Sequence, residues 1–168
     1  MKVIEGIAAN APVWVWPLLA MLVLLGLRAT RTRRVPLLLI YMMPLLMLIS
    51  IDRVAALVQT YPGLAGYVSG LSIGALIGLR CQRRWLIQKS GRHATLRGEW
   101  GTLIGMMVIF WANFAEGVLK VGRPDILQSP SFTPLFAAII AAAGGFFLGR
   151  MILTMMAPDT SAEAEIAD

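Results

Sequence analysis

Five membrane-crossing helices, joined by short polar turns into one all-α polytopic bundle, account best for this chain of 168 residues. Apolar residues make up 58 % of it and charged residues 14 %, where a soluble domain carries about 25 % charged residues. Mean hydropathy is +0.73. The charges also sit in clusters at the ends of long apolar runs, which is how membrane proteins set their orientation.

A hydrocarbon core of about 30 Å needs about 20 apolar residues in a helix. The first run that meets this test spans about Val13–Leu27. It lacks the preceding positive region and following small-residue cleavage site of a signal peptide, and reads as an uncleaved helix with its N-terminus outside. The second spans Val35–Leu57, with Pro36 in its first turn, where a missing N–H is harmless. Pro44 should bend this helix near Ile40. The third spans Gly63–Leu79, the fourth Thr102–Val121 and the fifth Phe132–Met156. Residues 1–156 thus form a single transmembrane domain with a basic loop at Arg80–Trp100, and 157–168 form an acidic tail expected to be disordered.

Charge counting orients the bundle. Arg28, Arg31, Arg33 and Arg34 follow the first helix, Arg80, Arg83, Arg84, Lys89, Arg92 and Arg97 follow the third, and Arg150 lies near the end of the fifth. Only Lys2, Arg53, Lys120 and Arg123 fall on the other side. Basic residues stay cytoplasmic, so the N-terminus is expected outside and the C-terminus inside. Trp14, Trp16, Tyr61 and Tyr67 at the outer level, and Trp85 and Trp100 at the inner one, fit the interfacial preference of rings with a polar edge.

Gly66, Gly70, Gly74 and Gly78 recur every four residues along the third helix and line one face of it. Ala137, Ala141, Gly145 and Gly149 repeat the device in the fifth. Apolar side chains gain little by leaving lipid for one another, so close backbone approach drives helix association. The stripes predict tight packing, either within this bundle or at an oligomeric or gating surface. SGLSIGALIGLR and AAAGGFFLGR also suggest a weak internal repeat.

Ionisable residues inside crossing helices are the default functional candidates, because charge is costly in hydrocarbon. Asn113, Glu116 and Lys120 share one face of the fourth helix, and Asp52 and Arg53 follow the seventeen-residue, largely apolar run Val35–Ile51 in the second. In the deduced topology these five form one polar cluster in the outer third of the bundle. They serve either as a small outward-facing binding site or as plain helix-end residues, with Glu116 satisfied by Lys120 at the favourable i, i+4 spacing. In the inner loop, Trp85–Gln88 and Ala94–Leu96 flank Lys89–Arg92 and suggest a short hairpin on the membrane. Its basic residues would favour anionic lipid headgroups.

Several classes are excluded. Cys81 stands alone, so no intramolecular disulfide or cysteine cluster forms, and His93, the single histidine, makes a haem or histidine-ligated metal site improbable. The methionines read as pliable packing residues. No cofactor is expected, and no folded polar domain supports nucleic-acid binding. No constellation of catalytic residues stands out, which argues against an enzyme.

The opening APVWVWPLLAMLVLLGLRATRTRRVPLLLIYMMPLLMLISI, the glycine-rich third helix, the basic turn before GEWGTLIGMMVIFWANFAEGVL and the ending FFLGR resemble a family of small bacterial inner-membrane proteins of unknown function. The resemblance covers Ala11–Leu153. It implies a multi-pass inner-membrane location and no activity. Members of that family often carry a basic residue near the position of Asn113 or Phe114; this chain departs there, with Glu116 nearby, so no functional residue is carried over. The expectation is a non-enzymatic scaffold or accessory subunit, with lipid and either a second copy or another membrane protein as partners. A small transporter or channel built on the outer polar cluster is the alternative.

Overall fold

The computed structural model describes residues 13–45, 60–127 and 129–159, with Met43 and Leu45 described in their backbone alone. It is mostly helical (75 %). Helix α1 (Val15–Ala29) leads to strand β1 (Arg33–Pro36) and helix α2 (Leu37–Leu45), followed by the long helix α3 (Tyr61–Trp85). A hairpin of β2 (Leu86–Ser90) and β3 (His93–Leu96) precedes α4 (Gly101–Gly122), the single turn α5 (Pro124–Leu127) and α6 (Phe132–Met156). Three of these helices, α3, α4 and α6, are long and apolar enough to cross a membrane; α1 is apolar and shorter.

The bundle departs from an all-α chain at one end, where a small antiparallel sheet is ordered β1-β3-β2. Val35 pairs with Ala94 and Arg33 with Leu96, so the second helix begins at Leu37 rather than Val35. A local bias favours this: a residue before proline is pushed into extended conformation, and Val35 precedes Pro36. Proline lacks a donor and suits an edge strand, which β1 is. The hairpin turns at Gly91, whose φ of 53° has the sign required at the first position of a two-residue type II′ turn. Val35, Leu37, Ile40, Ala94 and Leu96 bury one another beneath the sheet.

Helix α3 also runs six residues further than hydropathy suggests, through Arg80 to Trp85. Hydropathy marks where lipid ends, whereas helical hydrogen bonding continues through water, and Arg83 and Arg84 in the last turn complement the negative helix end. At the other end the Thr60 side chain accepts a hydrogen bond from the Gly63 N–H and caps the first turn.

Helices α3 and α6 lie parallel and in direct backbone contact. A Cβ added to Gly66, Gly70, Gly74 or Gly78 would fall 2.0–2.3 Å from the carbonyl oxygens of Pro134, Ala138, Ala142 and Phe146 respectively. Gly145 and Gly149 face the carbonyls of Leu71 and Ala75 in return. Helix α1 packs antiparallel on α4, with Gly26 against Leu103 and the Glu99 N–H bonded to the Ala29 carbonyl. The contact between α3 and α6 is therefore made largely by glycine and alanine, while Leu24, Ile73, Leu76, Ile104 and Leu135 among others stand exposed. That inversion suits a surround of lipid, where small residues mediate helix contact.

The tail, expected to be disordered from Ala157, is placed as far as Asp159. Lys89 donates to the carbonyl oxygens of Met155 and Ala157, and the Asp159 carboxylate accepts from the Gly91 N–H at 3.1–3.2 Å. The hairpin thereby closes over the end of α6. Residues 160–168 lie outside the described part.

Candidate functional site

The densest polar chemistry lies at the sheet end of the bundle, where α3, α4 and α6 meet. The stripe of Gly70, Gly74 and Gly78 continues one step to Gln82, which is 0 % exposed. Four residues is one helical turn, so Gln82 points where the glycines do, and there α6 presents Arg150. The Arg150 Nε donates to Gln82 Oε1 at 2.9 Å. Gln82 Nε2 donates to Thr154 Oγ1 at 3.0 Å, and the Thr154 hydroxyl donates to its own helix at the Arg150 carbonyl.

The third contributor is Glu99, in the connection from β3 to α4 and 3 % exposed. Its Oε2 accepts the Thr102 N–H at 2.8 Å, one of the donors that the start of α4 leaves without a helical partner, and its negative charge faces the positive helix end. Its Oε1 takes the Thr102 hydroxyl and lies 3.1 Å from Arg150 Nη1, which also donates to Thr102 Oγ1 at 2.7 Å. The backbone is brought in by Gly98, which lies against the Thr30 carbonyl where a Cβ would be 2.0 Å from the oxygen. The Arg150 guanidinium sits 5.3 Å from the centroid of the Trp85 ring and 5.6 Å from that of Phe146, within cation–π range. Gly101 admits those two rings.

A buried charge pair survives only when each lone pair and proton finds a partner. Here every buried side-chain nitrogen and oxygen among the described residues is hydrogen-bonded. Beside the network lies a cavity of about 200 Å³ lined by Arg33, Thr102, Arg150 and apolar side chains including Leu25, Met106 and Phe147. Arg33, on β1, is half-buried there. Burial holds its guanidinium below the ordinary value, with Glu99 opposing and Arg28 reinforcing the shift, yet an arginine keeps its proton in proteins.

The polar residues singled out on α4 lie elsewhere. Glu116 and Lys120 form an i, i+4 ion pair of 2.7 Å, their side chains 16 % and 55 % exposed. Asn113 donates to the Ile109 carbonyl of its own helix at 2.8 Å. Glu99 precedes the start of α4 and Glu116 lies fifteen residues into the helix from Gly101, about 22 Å at 1.5 Å per residue, so the two polar groups occupy opposite ends of α4. Asp52 and Arg53 lie outside the described residues.

Sequence reasoning missed the buried network because Arg150 was counted only as an orienting charge. Two signals were present. Arg150 has apolar residues on both sides within a long apolar run, and Glu99 is the sole acidic residue between Arg53 and Ala115. A lone acid amid basic residues and a lone base within an apolar helix are natural partners. Among the described residues no group of three or more His, Cys, Asp or Glu could hold a metal ion. Comparison with family models, curated proteins and solved structures returns no match.

Proposed function

We propose that this chain is a non-enzymatic scaffold or accessory subunit of a bacterial inner membrane, crossing it five times with the N-terminus outside and the C-terminus in the cytoplasm. The observation that carries this reading is how its buried polar groups are used. Gln82, Glu99, Thr102, Arg150 and Thr154 bind one another and so tie three helices together, a use that specifies shape. The orientation draws support from the gathering of the cationic residues of α1, β1, the end of α3, the hairpin and Arg150 at the sheet end, which the positive-inside rule would place in the cytoplasm. The exposed apolar faces of α1 and α4 are available to lipid or to a partner helix.

The test is mild detergent extraction of the tagged full chain followed by cross-linking and mass analysis. A stoichiometric partner or a defined homo-oligomer is expected. A monodisperse monomer that cross-links to nothing overturns the reading. A transporter would draw on Glu116, a carboxyl largely withdrawn from solvent; proteoliposome flux that Glu116→Gln abolishes would favour that alternative.

A further inference from the structure

We infer that the cavity at the sheet end is a binding site for one anionic lipid, its phosphate or carboxylate held between Arg33 and Arg150 and its chain leaving past Leu25 and Leu39. Three features of the cavity lead there.

The first is charge. Two arginines, Arg33 and Arg150, line the cavity, and Glu99, the acid that acts on both, is already engaged with Arg150 and Thr102. Arg33 makes no side-chain hydrogen bond or ion pair among the described residues. Arg150 spends Nε and Nη1 on Gln82, Glu99 and Thr102, which leaves Nη2 uncommitted. A half-buried cation whose nearby acid, Glu99, acts on it only through space and is already bonded elsewhere, beside a second cation, calls for an anion, and the planar fork of arginine suits the oxygens of phosphate or carboxylate.

The second is the wall. Apart from Arg33, Arg150 and Thr102, the lining is apolar, with Val35, Leu96, Met106 and Phe147 in depth. A hydrated inorganic ion gains nothing from such a surface, whereas an alkyl chain does. The third is the mouth. Leu25 on α1 and Leu39 on α2 line the cavity yet are 41 % and 54 % exposed, so its rim joins the outward apolar faces of both helices. The acid group would sit at the basic end of the bundle, where lipid headgroups lie, and its chain would enter the hydrocarbon directly. This differs from general attraction of an anionic membrane to exposed basic residues, in which Arg31 and Arg34 would count as much as Arg33.

The test uses the full chain purified in a zwitterionic detergent and exchanged free of lipid. Native mass spectrometry and thermal melting are followed on titration with phosphatidic acid, oleic acid, phosphatidylcholine and inorganic phosphate. The expected result is one phosphatidic acid per chain, at least tenfold tighter than phosphatidylcholine, with oleate also bound and inorganic phosphate without effect at matched concentration. Arg33→Gln should weaken binding about tenfold or more, and Arg34→Gln less than twofold. Leu39→Trp, which keeps every charge and narrows the mouth, should lose lipid while its lipid-free melting temperature is retained; it carries the test should Arg33→Gln fold poorly. Equal losses in the Arg33 and Arg34 variants, indifference to the headgroup, undiminished binding by Leu39→Trp, or inorganic phosphate binding as well as the lipid would each overturn the inference.

Discussion

The contact between α3 and α6 can be challenged by adding a single carbon. In Gly74→Ala the new Cβ would be 2.0 Å from the Ala142 carbonyl oxygen, where side-chain carbons are essentially never closer than 3.0 Å. The helices must part by at least about 1 Å there, and a radial gap of 0.5–1 Å forfeits a quarter to a half of each affected van der Waals well. Lipid offers no hydrophobic compensation for separated helices. Overpacking of this kind is worth about 1–3 kcal/mol. Gly117→Ala on α4 makes the same chemical change in open space, with nothing within 4 Å of the new carbon; alanine should there improve the helix by about 0.5–1 kcal/mol. The two variants should therefore move in opposite directions when unfolding is titrated in mixed micelles and followed by circular dichroism. The obstacle is a backbone oxygen, so adding Ala142→Gly should not rescue Gly74→Ala. Matching stabilities for the two single variants, or full rescue by Ala142→Gly, would refute the packing argument.

Three further outcomes are expected. Glu99→Gln strands Arg150 without its counter-charge and should destabilise the bundle by about 3–5 kcal/mol, part of it recovered by adding Arg150→Met; the same micelle titration reads both, and a neutral single variant would contradict the buried pair. Gly91→Ala forces a left-handed backbone on a residue with a side chain, at about 1–2 kcal/mol, and hydrogen exchange should quicken in Leu86–Leu96 before the transmembrane helices respond. Reporter fusions at Arg33 and Asp159 should score cytoplasmic and those at Ala9 and Gly122 external; Ala9 and Asp159 on one side would exclude an odd number of crossings.

What was legible in the sequence follows from the range of each interaction. The bounds of α6 could be read directly because its apolar run and its helix coincide. Those of α3 could not, since its last turns leave the apolar run and only the backbone continues. The glycine spacing announced a tight face on α3, but which helix it meets depends on a residue offset that no local pattern states. Strand β1 exists through its pairing with β3 some sixty residues later; its local trace was the Val35–Pro36 dipeptide, read as a helix start. Arg150 and Glu99 were hidden by an aggregate count of charges, which weighs every arginine alike. Charge counting gives orientation. It does not find the arginine that, among the described residues, is buried.

The register between α3 and α6 also has a temporal consequence. Gly66 meets Pro134, Gly78 meets Phe146, and Gln82 meets Arg150, each pairing joining residues sixty-eight positions apart. Chains emerge from the ribosome at about 5–20 residues per second, so the bare glycine groove of α3 waits several seconds in the bilayer before its partner is made. During that interval any other helix lined with small residues is a competitor for it. A nascent chain stalled or cleaved before Phe132 would keep the groove open permanently, making it a target for surveillance or for mispairing with a neighbour.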